Sequence, residues 1–407
     1  MATRSIGSLF SAVPLAPSDA AFALTTAYNA DTSPNKVSLG SGVYRDDNGE
    51  PWVLPVVKKA KSRLDADPTV NHEYLPIVGH AEFITAAQSL VFGTDDENMC
   101  SRIASVQCIS GTGANHLGAR FFTDTTQPRQ VWISDPTWDN HHLIWTLVND
   151  KIQQRVYPYY DNTSRSLDFD GMVDVIQRKA MAGDVIILHA CAHNPTGIDP
   201  SREQWKAIAD LCETKKLLPF FDWFATGSLD EDAWPIRHFL SRETLEFGVA
   251  QSFAKNLGLY GERVGAFHLV TSTAADSVMN VRSQLARLSR GEISTPPVYG
   301  ARIAATVLRD QTLFDEWKID LETMSGRIRA MRSALYDALR ALGTPGDWRH
   351  VVDQIGMFSY TGLTPAQVEL LREDYSIYLL ASGRISIAGC ELSSILDLAL
   401  VHALTET

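Results

Sequence analysis

The 407-residue chain reads as an α/β protein: a largely parallel sheet covered on both faces, joined to a smaller α+β unit. Three observations predict this. From about residue 100, short apolar runs alternate with segments of helical period, as strand–helix repeats do. Each run ends in a small polar cluster, and open α/β sheets bind ligands at the carboxyl ends of their strands. Finally, a long amphipathic stretch, Gln311 to Leu342, stops at Gly343-Thr-Pro-Gly346, and shorter elements start at Gly356-Met-Phe-Ser-Tyr360.

Taken in order, Met1 to Val13 carries one arginine and no acid, and Pro14-Leu-Ala-Pro17 follows at once; residues 1–13 are read as an arm of the mature protein. Asp19 to Asn29 has the apolar spacing of a helix. Val37 to Tyr44 alternates Gly40 and Gly42 with apolar residues, an extended segment whose backbone a ligand can approach. Pro55 to Leu64 is helical, and Asn71-His-Glu-Tyr-Leu-Pro76 breaks the pattern with a phenol, Tyr74. Ile103 to Ile109 is a strand ending in Ser110-Gly-Thr-Gly-Ala114, with a helix from Asn115 to Phe122. Gln130 to Ser134 ends in Asp135-Pro-Thr-Trp138, and Asp184 to His189 ends near His193-Asn-Pro-Thr-Gly197. Leu217 to Phe221 ends in Asp222, and Phe247 to Gln251 ends near Lys255.

Composition narrows the function. Asp and Glu number 48 against 36 Lys and Arg, which disfavours nucleic acid and anionic membranes as partners. No apolar run approaches the ~20 residues of a membrane helix. Five cysteines (Cys100, Cys108, Cys191, Cys212, Cys390) form no Cys-x-x-Cys pair, which fits reduced thiols in a cytosolic compartment.

The chemistry centres on Gln251 to Gly265. Lys255 follows a buried strand, where a lysine loses its proton more easily and becomes a nucleophilic amine. Ser252 and Arg263 flank it with groups that suit a phosphate. Together they describe a Schiff-base lysine beside a phosphate anchor, as used to hold pyridoxal phosphate; taken alone, the stretch also fits an ordinary surface lysine after a strand, the commoner case. Ser110-Gly111-Thr112 opens a helix after a strand and offers free amides to an anion. Trp138 suits stacking on a heteroaromatic ring, or the core. Asn194 heads a turn where its amide can meet a ring hydroxyl, although Asn-Pro is also an ordinary turn. Asp222 ends a buried strand and needs a partner, either a pyridinium nitrogen or an arginine. His141, His142, His189 and His193 lack the companion ligands of a metal site, so supporting roles are expected and no metal. Arg290 and Arg384 adjoin small residues in apparent loops, and two guanidinium groups in one pocket suit a dicarboxylate. For Arg290 the alternative is a solvated helix face shared with Arg282 and Arg287.

Ser-Gly-Thr-Gly-Ala, Asp-Pro-Thr-Trp, His-Asn-Pro-Thr-Gly, Phe-Phe-Asp, Gln-Ser-Phe-Ala-Lys-Asn and Gly-Arg-Ile-Ser, in this order and nearly end to end, resemble the aspartate aminotransferases of eukaryotic type. The resemblance implies a pyridoxal-phosphate-dependent transferase of fold type I, with a mostly parallel seven-stranded sheet. It implies a cytoplasmic homodimer with active sites at the subunit interface, and a large domain over residues 48–324. The small domain would comprise residues 14–47 and 325–407. Lys255 matches the lysine that holds the cofactor and shuttles the proton. Asp222 matches the acid on the pyridine nitrogen, Asn194 the ring-hydroxyl partner and Trp138 the stacking residue. Ser110, Gly111, Thr112, Ser252 and Arg263 match the phosphate cup, and Tyr74 the tyrosine lent to the neighbouring subunit's phosphate. Arg384 matches the clamp on the α-carboxylate, Arg290 the side-chain reader lent across the dimer, and Gly42 a residue against substrate. The reaction implied moves an amino group between aspartate or glutamate and a 2-oxo acid.

Two departures stand out. Family members follow Phe-Phe-Asp with Ser-Ala-Tyr-Gln-Gly-Phe-Ala-Ser-Gly, whereas Trp223-Phe-Ala-Thr-Gly227 follows Asp222 here, about four residues shorter. The lost tyrosine donates to the cofactor's ring oxygen, a bond of about 1.5–3 kcal/mol, and Thr226 is the nearest alternative donor. A shortened loop also threatens the position of Asp222. After Arg290, Gly291-Glu292-Ile293-Ser-Thr-Pro-Pro297 puts a competing carboxylate beside the guanidinium. These departures raise two rivals, an enzyme of specialised metabolism with another amino donor and a degenerate paralogue that binds cofactor without turnover.

Overall fold

The computed structural model describes residues 8–40, 42–94, 97–272 and 276–389. Residues 1–7 of the expected arm, Cys390 and the remaining chain to 407 lie outside the described residues. Seven strands form one sheet: β1 (Ile103–Ile109), β2 (Gln130–Asp135), β3 (Gln153–Pro158), β4 (Val185–His189), β5 (Leu218–Trp223), β6 (Phe247–Ser252) and β7 (Val264–Val270). Their order is β1-β7-β6-β5-β4-β2-β3. Only β7 runs against its neighbours, β1 and β6; the other pairs are parallel.

The continuous apolar runs follow from burial of both faces. Phe221 enters one core with Ile186, Leu188 and Val249, while Phe220 enters the other with Val185, Ile187 and Ala250. Successive residues therefore serve opposite cores, and no position on a central strand is left for a solvated side chain.

Six helices bear on the site: α1 (Ala20–Ala30), α2 (Ser110–Thr125), α3 (Asn140–Val148), α4 (Leu229–Leu240), α5 (Asp276–Glu292) and α6 (Gln311–Ala341). The expected loop Ser110 to Ala114 is already helical, because α2 begins directly after β1. Gly118 lets this helix lie on the sheet: a Cβ there would stand 2.5 Å from Phe220 Cζ and 2.7 Å from Phe267 Cε2.

The expected extended segment from Val37 to Tyr44 pairs only at Val37–Ser38, parallel to Ile377–Tyr378. Leu39 O still accepts from Ser386 N at 2.7 Å, and beyond it two carbonyls turn to side chains: Gly40 accepts from Arg384 and Gly42 from Lys255. Phe358–Tyr360 pairs antiparallel with Arg384–Ser386. Leu39, Leu335, Trp348, Ile377 and Ile385 share a third core, so residues that precede and follow α6 in the chain pack together against it. Arg290 lies in the last turn of α5 and is exposed, which corrects the loop expected for it; Ser289 and Gly291 do not interrupt the helix.

Close packing at Gly118 gives a stability test. Gly118→Val should lower the unfolding free energy by about 1–3 kcal/mol through overpacking against Phe220 and Phe267. Gly326→Ala, in α6 with only Arg329 Nη2 at 3.9 Å, should raise it by about 0.4–1 kcal/mol. Urea denaturation of the two variants checks both signs.

Candidate active site

A cleft of about 380 Å³ opens where β1, β4, β5 and β6 end, and α1 lies along it. The parallel register sets its floor, with Asp222 of β5 opposite His189 of β4 and Ala250 of β6. Lys255 follows three residues after β6, in the connection to β7. Both side chains line the cleft, together with Trp138, Asn194 and Arg384.

Lys255 Nζ donates to Gly42 O and lies 5.1 Å from the Tyr260 ring centroid. Burial, with the cations of Arg384 and Arg263, pushes its ammonium down to about 8. Gly42 has to be glycine, since a Cβ would come within 2.9 Å of both Lys255 Nζ and Phe358 Cζ. Tyr260 escaped the sequence reading, although it lies five residues after the lysine; its hydroxyl accepts from Tyr44 N at 3.0 Å.

Asp222 keeps 22% of its side chain exposed in the cleft. Burial raises its carboxyl, but the hydrogen bond and charge of His141, helped by His189 and Asn115, outweigh that and leave it below the usual carboxylate range. His141 Nε2 is 3.3 Å from Asp222 Oδ2, and Thr137 Oγ1 is 2.9 Å from His141 Nδ1. His189 Nδ1 accepts from Asn194 N at 3.0 Å, and its ring stacks on His193 at 4.3 Å. Burial holds the His189 imidazole down to about 3, hence neutral. Three of the four histidines thus form a supporting layer beneath Asp222 and Asn194, and His142 bonds Gln154 instead. Their role lay in tertiary contacts that spacing does not reveal.

Ser110, Gly111, Thr112, Ser252 and Arg263 meet at one end of the cleft. α2 has no side-chain cap at Ile109, so its first amides are open to an anion. Ser110 Oγ and Ser252 Oγ are 3.4 Å apart, and a Cβ on Gly111 would stand 3.0 Å from Ser252 Cβ. An uncapped helix start flanked by two hydroxyls and a guanidinium fits a phosphate, and the neighbouring amine, whose ammonium loses its proton more easily than a solvated one, fits an aldehyde.

Arg384 is 9% exposed, with Cζ 4.2 Å from the Phe358 ring centroid. It donates to Gly40 O at 2.8 Å and to Asn194 Oδ1 at 3.4 Å, while its buried Nε has no partner among the described residues. Burial lowers it to about 10, so it remains a cation at neutral pH.

Tyr74 and Arg290 do not line the cleft of their own chain. Tyr74 is 81% exposed, and Arg290 Nη1 donates to Ser294 Oγ at 2.6 Å. Glu292, expected to compete for Arg290, instead faces His116 Nδ1 at 3.4 Å.

The short connection after Asp222 does not pull that residue from its strand. Asp232, at the start of α4, fastens it: Thr226 donates to both carboxylate oxygens, from N at 2.6 Å and Oγ1 at 2.7 Å, and Gly227 N donates at 3.3 Å. Trp223 Nε1 donates to Asp232 O at 2.8 Å. The Thr226 hydroxyl is therefore committed to Asp232 and does not line the cleft, which corrects its expected part as a substitute donor.

A sheet of this order, with a lysine, a carboxylate and an anion cradle at its strand ends, defines a fold-type I transferase built for pyridoxal phosphate. The model of the family "Aminotransferase class I and II" matches residues 34–399, and the chain belongs to that family. It is 47% identical over 402 residues to the L-tyrosine:2-oxoglutarate aminotransferase of Aspergillus ustus, covering 96% of this chain and 76% of that protein. It is 48% identical over 392 residues to the cytoplasmic aspartate aminotransferase of Saccharomyces cerevisiae, covering 94% of this chain and 93% of the yeast protein. A solved structure of aspartate aminotransferase from the yeast cytoplasm superposes with a TM-score of 0.94 at 44% identity, covering 97% and 98% of the two chains. The aromatic-amino-acid aminotransferase of Burkholderia pseudomallei, solved covalently bound to pyridoxal phosphate, superposes at 0.93 with 39% identity, covering 98% and 100%.

The depressed lysine sets a pH dependence. In apoprotein, the ammonium form disappears as pH rises through about 8, so the rate of pyridoxal phosphate capture should climb and level off above that point. Stopped-flow absorbance between pH 6.5 and 10 measures this; a rate still rising beyond pH 10 would mean an ordinary solvated lysine.

Proposed function

We propose that the protein is a cytoplasmic aspartate aminotransferase, moving an amino group between L-aspartate or glutamate and a 2-oxo acid by a ping-pong cycle. The observation that carries this is the pairing of Lys255, whose ammonium burial lowers to about 8, with an acid held ionised, Asp222, in one cleft beside an anion cradle. Pyridoxal phosphate, when bound, supplies a protonated ring that accepts and returns the electron pair of the substrate Cα–H bond.

The residues of the chain do the rest. Ser110, Gly111, Thr112, Ser252 and Arg263 hold the phosphate. Trp138 covers a ring face, and the Asn194 amide meets the ring hydroxyl. Asp222 keeps a proton on the ring nitrogen, and His141 keeps Asp222 ionised. Lys255 Nζ would anchor the cofactor until the incoming substrate amine displaces it, and the freed amine would then take the proton from substrate Cα. Arg384 grips the α-carboxylate with donors already oriented by Gly40 and Asn194. Gly42 leaves room for substrate beside the lysine.

The same reading makes the protein a homodimer. Tyr74 and Arg290 lie outside their own cleft, and an exposed phenol and guanidinium are free to enter a partner's. Arg290 then reads the side-chain carboxylate, and Tyr74 the phosphate. The large domain spans 48–324, with residues 14–47 and 325–407 in the small one. The yeast relative, similar over nearly its full length, supports aspartate as the donor.

Holoenzyme given aspartate and 2-oxoglutarate should release oxaloacetate and glutamate, and faster than it transaminates tyrosine. Lys255→Ala should lower that rate by roughly 10⁴-fold while the protein stays folded. A tyrosine rate exceeding the aspartate rate overturns the donor assignment, and a fully active Lys255→Ala overturns the mechanism.

A further inference from the structure

One phenol borders the Lys255 amine. Among the described residues that line the cleft, Tyr260 is the only tyrosine. Lys255 Nζ lies over its ring, 5.1 Å from the centroid. The Tyr260 hydroxyl accepts from Tyr44 N at 3.0 Å. Burial holds the phenol above its ordinary range, so it stays uncharged at neutral pH.

That hydroxyl holds the segment that faces the lysine. Gly42 O accepts from Lys255 Nζ, and two residues on, Tyr44 N is taken by Tyr260. Tyr44 is buried and held on its other sides: its ring meets Trp52 at 5.6 Å, and Arg327 Cζ of α6 lies 5.8 Å from its centroid. Gly42 lines the cleft, so the bond from Tyr44 to Tyr260 fixes one wall of the space that substrate enters. A partly buried amide deprived of its acceptor is costly, and the segment would shift to find another.

We propose that Tyr260 is a positioning residue for amino-group transfer, its hydroxyl fixing the Gly42 to Tyr44 wall of the cleft and its ring seating the Lys255 amine. This rests on the aminotransferase reading above. An aromatic face attracts a cation more than a neutral amine. The ring therefore opposes the loss of the ammonium proton that burial, Arg384 and Arg263 promote. Those two arginines, with Asp222 in the same cleft, are the charged groups around the amine, and a substitution at Tyr260 leaves all three in the chain.

Two variants separate the hydroxyl from the ring. Tyr260→Phe keeps the ring and removes the acceptor. With 2-oxoglutarate saturating, its KM for aspartate should rise about tenfold while kcat stays within about twofold. The pH midpoint for pyridoxal phosphate capture by its apoprotein should stay near 8. Tyr260→Leu removes the ring as well, and its midpoint should fall by about 0.5–1 pH unit. If that variant fails to fold, Tyr260→Met takes its place. An unchanged KM in Tyr260→Phe, or a fall in kcat alone, overturns the part given to the hydroxyl. A midpoint unmoved or raised in Tyr260→Leu overturns the part given to the ring. Capture is read without substrate, so it decides even if the unsubstituted protein does not turn over aspartate, the result that would count against the functional reading instead.

Discussion

Burial favours one of the two protonation states that this site requires and opposes the other. Removing a carboxylate and an ammonium from water drives each toward its neutral form, yet transamination needs the acid ionised and the amine neutral. The structure separates the two outcomes by giving them different neighbours. Asp222 ends β5 above an imidazole that hydrogen-bonds it, so ionisation survives. Lys255 lies in the connection after the neighbouring strand β6, close to two arginines, so burial prevails and the ammonium is lowered to about 8. Both placements depend on parallel register. A slip of β5 by one residue would turn Asp222 to the opposite face of the sheet and put a core residue in its place.

This division explains why the shortened connection is tolerated. Asp222 belongs to the strand, and its position is secured by pairing with His189 and Ala250 before the connection starts. What the shorter path alters lies downstream. Trp223 turns inward, Thr226 is taken up by Asp232, and the volume behind Lys255 is left open. The threat that the shorter connection posed to Asp222 is removed, because that group is held by the sheet; the missing tyrosine, which motivated the degenerate-paralogue reading, has no substitute in Thr226.

Much of this was legible in the sequence. Every strand of the central sheet that bears a site residue ends within a residue or two of its expected position, because burial on both faces demands an uninterrupted apolar run. Lys255, Asp222, Asn194, Trp138 and Arg384 fall in one cleft for the same reason: strand ends gather what sequence disperses. Features settled by tertiary contact were not legible. His141 reaches Asp222 across 81 positions, and after Leu39 the Gly40 and Gly42 carbonyls go to the side chains of Arg384 and Lys255. Arg290 was misread as a loop residue, since small neighbours at a helix end look the same in either setting. Nor does any local pattern show that Thr226 spends its hydroxyl on Asp232.

The most direct test is a crystal structure of the protein with pyridoxal phosphate. The account predicts Lys255 Nζ bonded to the cofactor's aldehyde carbon and an Asp222 carboxylate oxygen about 2.6–3.2 Å from the pyridine nitrogen. A ring nitrogen turned to water or to an apolar wall, with Asp222 bonded to His141 alone, would contradict it.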